Sequence, residues 1–197
     1  MRKVPPVKPV AGVRSIKAPD PPDGFRYQED FLTGYEEACL ASFIASQPLK
    51  EFEFYGYLGK RRVFSFGWRY DQKEGRVKHS REIPEELIPL RDKVSNFASI
   101  APAHLSHILL TEYTPGTPIG WHRDRPAFDE VIGISLLSEC SFRMRRRTRE
   151  GWERFTQILR PRSIYMMGGA ARRLWEHSIP PVERLRYSIT FRTLRQE

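Results

Sequence analysis

The sequence predicts an α+β, mainly β domain, a double-sheet jelly roll with helices packed on its outside. Three observations predict it. Eight short β-rich runs follow one another after Leu105, two helical patterns precede them, and a chain of 197 residues with 40% hydrophobic content can bury one real core. The runs cover 108–113, 119–122, 131–137, 141–146, 155–159, 163–167, 174–178 and 187–192, each bounded by turn residues. Closely spaced short strands behind helices suit two stacked sheets.

Residues 1–23 are dense in proline, lysine and arginine, so neither helix nor ladder hydrogen bonds can form there, and a flexible basic arm is expected. A single domain over 24–197 follows, without internal repeats. Thr33-Gly-Tyr-Glu36 has the spacing of a capping box, and Ala38, Leu40, Ala41, Phe43 and Ile44 then supply an apolar face, predicting a helix from Gly34 to Ser46. A second helix is expected from about Pro84, its buried stripe being Leu87, Leu90, Val94 and Phe97. The jelly-roll core then spans about 105–197.

The longest apolar stretches, such as Ile132 to Leu137, fall far short of the roughly 20 residues of a membrane span. No membrane association is expected. The start, MRKVPPVKPV, lacks the apolar centre of a secretory signal, which predicts an intracellular protein, cytoplasmic if bacterial and not secreted. Cys39 and Cys140 read as reduced thiols, because a domain of this size needs no bridge. A net charge of +9 raises the local concentration of polyanions and makes DNA or RNA a partner to consider, although charge alone does not select it.

The chemistry starts at IGWHRD. His122 and Asp124 are two apart on a strand or its end, so their side chains leave the same face and can converge. A third ligand would complete a two-histidine, one-carboxylate face that leaves three metal positions open. The candidates are His79, His104, His107 and His177; His177 is chosen because its late β-like run, LWEHSI, can return it beside the pair. In RYSITFR, Arg186 and Arg192 share a strand face with Ser188 and Thr190, while Tyr187, Ile189 and Phe191 take the other. Inward-turned arginines are costly without an anion, and a planar guanidinium fork matches a carboxylate.

Together, the TEYTPG to IGWHRD segment, MGGAARRLWEHSI and RYSITFR resemble the AlkB-like Fe(II)/2-oxoglutarate-dependent dioxygenase family over most of Phe52 to Arg192. The Gly168-Gly169 turn followed by Arg173, four residues before His177, is similar to the family as well. The resemblance implies a double-stranded β-helix of cupin-like form and Fe(II) held by His122, Asp124 and His177. It implies a 2-oxoglutarate site in which Tyr113 donates a hydrogen bond, Arg186 pairs with the distal carboxylate and Arg192 lies near the metal-bound end, with Ser188 and Thr111 beside them. No further catalytic residue is expected beyond the metal ligands. Dioxygen is the cosubstrate, 2-oxoglutarate leaves as succinate and CO2, and hydroxylation of an N-methyl carbon ends in formaldehyde and the demethylated amine.

Two departures bear on substrate choice. Thr111-Glu112-Tyr113 stands where the family reads N-x-Y, so Thr111 must replace an amide contact. Arg125-Pro126 stands directly after the aspartate, where DNA-repair members carry a second acid.

Upstream, KRRVFSFGWRY resembles the family's substrate lid, an N-terminal extension over about 52–75, in which Lys60, Arg61 and Arg62 can hold phosphates. Trp68 or Tyr70 can stack on a base taken out of its helix, at about 1–3 kcal/mol per stack. A hairpin with buried aromatics and solvated cations explains the same pattern, since Phe64, Phe66 and Trp68 share one strand face. The run FRMRRRTRE turns Arg143, Arg145 and Arg147 to one face, either as a phosphate track or as a solvated edge. Arg62, Trp68, Tyr70, Arg125 and Arg147 are therefore the substrate-binding candidates. The expected function is oxidative demethylation of N-alkylated bases in DNA or RNA. The alternatives are the same chemistry on a protein side chain or small metabolite, and a non-catalytic cupin-like module that binds nucleic acid.

Overall fold

Glu36 donates its backbone N–H to the Thr33 hydroxyl at 3.2 Å, and its carboxylate accepts from the Thr33 N–H at 2.8 Å, closing the capping box of α1 (Gly34–Ala45). Two orphan donors are thereby satisfied. The computed structural model describes residues 20–54, 57–71 and 74–195, so most of the expected arm lies outside the described residues. The second helix begins as a 3-10 turn over Glu85–Leu87 and becomes α2 at Ile88–Ala98. Pro89 explains the late start, because a residue without an N–H fits an α-helix only in its first turn.

The strands are β1 (Phe25–Gln28), β2 (Lys50–Phe54), β3 (Tyr57–Asp71), β4 (Arg76–Arg81), β5 (His107–Tyr113) and β6 (Ile119–His122). They continue as β7 (Phe128–Leu136), β8 (Cys140–Thr148), β9 (Gly151–Leu159), β10 (Ile164–Met167), β11 (Glu176–Ile179) and β12 (Arg186–Leu194). A short α3 (Gly169–Arg173) precedes β11. The larger sheet runs β1-β10-β7-β12-β5-β3-β2, with β4 on β3, and the smaller runs β6-β11-β8-β9. Strands β5 to β12 are the eight runs expected after Leu105, and the result is the double-stranded β-helix with helices outside.

Two apolar layers position everything else. On one side of the larger sheet, Tyr187, Ile189 and Phe191 of β12 join Ile108, Leu110, Ile132 and Ile134 against Leu40 and Ile44 of α1 and Leu90 and Val94 of α2. Fully burying each such side chain contributes about 1.5–3 kcal/mol. Between the sheets, Phe142, Met144, Phe155 and Trp175 pack with Phe25 and Tyr165. Strand β12 sits between β5 and β7, so the faces alternate, and Arg186, Ser188, Thr190 and Arg192 turn into the space between the sheets. Gly133 of β7 faces Tyr165 there. A Cβ on Gly133 would lie 2.3 Å from the tyrosine ring, so only glycine lets that ring cross the strand.

Among the described residues, no helix is long and apolar enough to cross a membrane. Cys39 and Cys140 are both free thiols.

Candidate metal centre

Strand pairing brings the two histidines together. β11 runs antiparallel to β6 with His177 directly opposite His122, and their ring centroids are 4.2 Å apart. Asp124 follows two residues after His122, and one ligand atom from each of the three residues lies within 4.8 Å of the others. His122 Nδ1 is 2.9 Å from the Gly120 carbonyl, so Nδ1 donates there and leaves the Nε2 lone pair free on the triad side, 3.7 Å from Asp124 Oδ1. The other carboxylate oxygen, Oδ2, accepts from Arg192 Nε at 3.0 Å. One oxygen is anchored and the other faces the histidines.

The electrostatics select the charge state a metal needs. Burial pushes the His177 imidazole down to about 3, helped by His122, and burial also lowers His122. Burial would raise the Asp124 carboxyl, but the Arg192 guanidinium together with both histidines outweighs it and holds the group well below the usual carboxylate range. Two neutral imidazoles and one carboxylate are therefore present at neutral pH, without competition from protons. This donor set fits a divalent iron and leaves coordination positions open.

An anion pocket adjoins the triad. Arg186 is 1% exposed, lies over the Tyr113 ring at 4.8 Å and donates from Nε to the Ser135 hydroxyl at 3.2 Å. Burial works against its charge, and although Cys140, Tyr113 and Tyr165 raise its pKa, the Cys140 thiol and the Tyr165 phenol are uncharged at neutral pH and do not lift the cost of burial there. One of its terminal nitrogens is buried with no hydrogen-bond partner among the described residues. A buried cation with an orphan donor is costly, and a carboxylate at that point would remove the cost. Thr111 and Ser188 face each other across β5 and β12, both buried, on the same inner face as Arg186. The residues present fit a keto diacid.

The other candidates divide. Arg62 lies opposite Glu112 on the outer face of β3, 48% exposed, with its Nε 2.6 Å from the Glu112 carboxylate. Its neighbour Arg61 takes the inward position instead, stacked over Phe52 at 4.0 Å and feeling Tyr113, Asp124 and Arg192. Phe64 and Phe66 pack with the helix-side core, while a bulge between Gly67 and Trp68 breaks the expected alternation. Trp68 meets His79 edge-on at 5.6 Å. The side chain of Tyr70 lies outside the described residues. Arg125 follows the aspartate, its carbonyl accepting from Arg172 at 2.7 Å. Arg147 points outward from the smaller sheet, over Trp152 at 5.6 Å. Of the remaining histidines, His79 pairs with Glu82 at 3.4 Å and His104 is exposed. His107 is buried behind Arg192, 3.4 Å from its guanidinium.

Ser135 and the inward direction of Arg61 were not read from the sequence. The alternation of β7 would have signalled Ser135, a lone hydroxyl on its inner face beside Gly133.

A jelly roll that sets two histidines and an aspartate beside a buried, incompletely satisfied arginine defines a class: metal-dependent oxygenases that take a keto diacid as cosubstrate. The sequence profile of the 2OG-Fe(II) oxygenase superfamily matches residues 46–192. The chain belongs to this superfamily and is AlkB-like within it, using Fe(II), 2-oxoglutarate and O2. It is 27% identical over 175 residues to "Alkylated DNA repair protein ALKBH8 homolog" of Arabidopsis thaliana, covering 77% of this chain and 49% of that protein. It is 27% identical over 168 residues to "tRNA (carboxymethyluridine(34)-5-O)-methyltransferase ALKBH8" of Mus musculus, covering 81% of this chain and 24% of that one. The chain thus spans half or less of these two relatives. The fold is similar to OsALKBH1, with TM-score 0.62 and 16% identity over 86% of this chain and 96% of that one. It is equally similar to a Pseudomonas putida prolyl-4-hydroxylase, with TM-score 0.62 and 14% identity over 88% and 94% of the two chains.

Proposed function

We propose that this oxygenase removes alkyl groups from nitrogen atoms of bases in DNA or RNA, with His122, Asp124 and His177 as the iron ligands. Iron with 2-oxoglutarate and dioxygen supplies an oxidation in which a substrate carbon is hydroxylated while 2-oxoglutarate leaves as succinate and CO2. The protein's own residues do the positioning. Arg186 grips the distal carboxylate of 2-oxoglutarate, Tyr113 and Ser188 line its path, and Thr111 stands beside them. Arg192 holds Asp124 in line and lies near the metal-bound end of the cosubstrate.

The observation that carries the nucleic-acid assignment is the inward placement of Arg61 on the lid strand, beside Tyr113 and Asp124, in a chain of net charge +9. A cation there can meet the polar rim of a base or its phosphate. The relatives named for alkylated DNA repair and for tRNA support the same direction. An N-hydroxymethyl product breaks down to formaldehyde and the free amine. Arg125, next to the aspartate in sequence, is assigned to base reading as well.

Formaldehyde release tests this reading. A panel of N-methylated DNA and RNA oligonucleotides should yield formaldehyde and restored bases, with succinate in step. Succinate without either product would overturn the assignment, and mass spectrometry for one added oxygen atom on proteins or metabolites would then locate the substrate.

A further inference from the structure

The outward face of the smaller sheet carries a ladder of tryptophans and arginines that the oxygenase site does not use. Phe142 and Met144 of β8 pack inside, so Arg143, Arg145 and Arg147 point out. Arg145 is held between Trp121 and Trp152, its guanidinium carbon 4.3 Å from each ring centroid. Arg143 flanks Trp121 at 5.2 Å and Arg147 flanks Trp152 at 5.6 Å. The order is Arg143, Trp121, Arg145, Trp152, Arg147.

The charges on this face do not balance. Arg154 of β9 stands directly opposite Arg145 in register, and like charges so placed destabilise a sheet. Glu176 of β11 relieves only one of them, pairing with Arg145 at 2.8 Å, while Arg143 donates to the Ser178 hydroxyl at 3.1 Å. Among the described residues, Arg147 and Arg154 have no ion-pair partner, and both are exposed. Stacking on the indoles pre-orders the guanidiniums, so an anion arriving there loses little side-chain entropy on binding. Trp152 is 37% exposed and offers a ring edge beside them.

We propose that this face binds the backbone of a single-stranded nucleic acid, with phosphates on Arg147 and Arg154 and a base against Trp152. The inference rests on the nucleic-acid reading above and extends it from the site to a second surface. Trp121 immediately precedes His122 in β6, so the ladder begins on the reverse of the strand that carries a metal ligand. An isolated phosphate contact of this kind is weak; a row of them is salt-dependent and adds along the strand.

The test is fluorescence anisotropy of the full chain with a labelled single-stranded oligonucleotide free of alkylated bases. Arg147→Glu with Arg154→Glu is expected to weaken binding about tenfold or more and to reduce the salt slope of log Kd by about one to two. Trp152→Ala should weaken it about fivefold or more. Arg184→Glu, one such charge reversal on the exposed loop before β12, should leave affinity near wild type. Melting temperatures check that each variant is folded. Unchanged affinity in the double variant overturns the surface while leaving the demethylase reading intact. Polyglutamate that binds the wild type as tightly, and is lost in the same variant, would assign the face to acidic proteins instead. Variant-sensitive oligonucleotide binding without formaldehyde from any substrate would sink the demethylase reading and keep the surface.

Discussion

Arg192 donates from Nε to Asp124 Oδ2 at 3.0 Å, and its far nitrogen reaches His107 at 3.4 Å. The carboxylate is thereby aimed at the histidines from behind, by a residue of β12, with five strands intervening in sequence between it and the loop that carries the carboxylate. Arg192→Met is expected to lower 2-oxoglutarate turnover 10- to 100-fold, the usual range when a ligand loses its supporting hydrogen bond. Succinate production at saturating iron measures it. Full activity would mean that the loop aims Asp124 without help.

Arg186 is expected to govern cosubstrate affinity alone. Arg186→Met should raise the Kd for 2-oxoglutarate about 100-fold, the loss of about 3 kcal/mol typical of a buried, hydrogen-bonded charge pair. Arg186→Lys should recover only part of it, since the fork geometry is lost. Tryptophan fluorescence titration with Mn(II) in place reads both, and Mn(II) affinity itself should not move. The metal-free Arg186→Met protein should be no less stable than wild type, because its orphan donor is gone.

Gly133 makes room for Tyr165. Gly133→Ala should cost about 1–3 kcal/mol in denaturant unfolding, since backbone and ring must part to admit the Cβ. Tyr165→Leu in the Gly133→Ala background should add much less than Tyr165→Leu alone, a coupling that a double-mutant cycle reveals. Additive costs would show that the two residues do not touch.

Acid should destabilise the metal-free protein early. His177 is depressed to about 3, His107 lies well below its ordinary value through burial and Arg192, and His122 is lowered by burial. Each imidazole is neutral when folded and titrates near 6.5 when unfolded, so below about pH 6.5 the unfolded chain binds more protons and stability falls as pH drops. For His177 the loss continues to about 3. Denaturation midpoints between about pH 7.5 and pH 5.5 should decline steadily, and His107→Gln should flatten the decline. A level profile in the wild type would contradict the buried neutral histidines.

Arg61 and Arg62 should part company. Arg61→Ala is expected to lower kcat/KM for an oligonucleotide about tenfold while the Kd for 2-oxoglutarate holds, as befits one lost charge-assisted contact. Arg62→Ala should leave kcat/KM in place and lower stability by about 1–3 kcal/mol, because Glu112 stays buried without its cation. Steady-state kinetics beside unfolding curves separates them.

Much of the protein was legible along the chain, because the signals are local. A hydroxyl three residues before a glutamate caps α1, and alternation sorts Tyr187, Ile189 and Phe191 from Arg186, Ser188 and Arg192. Two residues of spacing put His122 and Asp124 on one side. The ordered motifs resembling a known family then named the metal and the cosubstrate.

What the tertiary structure decided is everything set by pairing between distant segments. His177 was already chosen along the chain from four candidate histidines, but its place directly opposite His122 comes from the register of β11 on β6, and His107 was sent behind Arg192 by the register of β5 on β12. The bulge at Gly67 separated Trp68 from the aromatics it shares a run with, and the pairing of β3 with β5 turned Arg61 in and Arg62 out. A strand's side chains alternate by a rule written in its own sequence, but which face is inside depends on the neighbour it bonds to, and a one-residue shift reverses it. That choice costs nothing locally. It is made by the apolar layers that only the assembled sheets can bury.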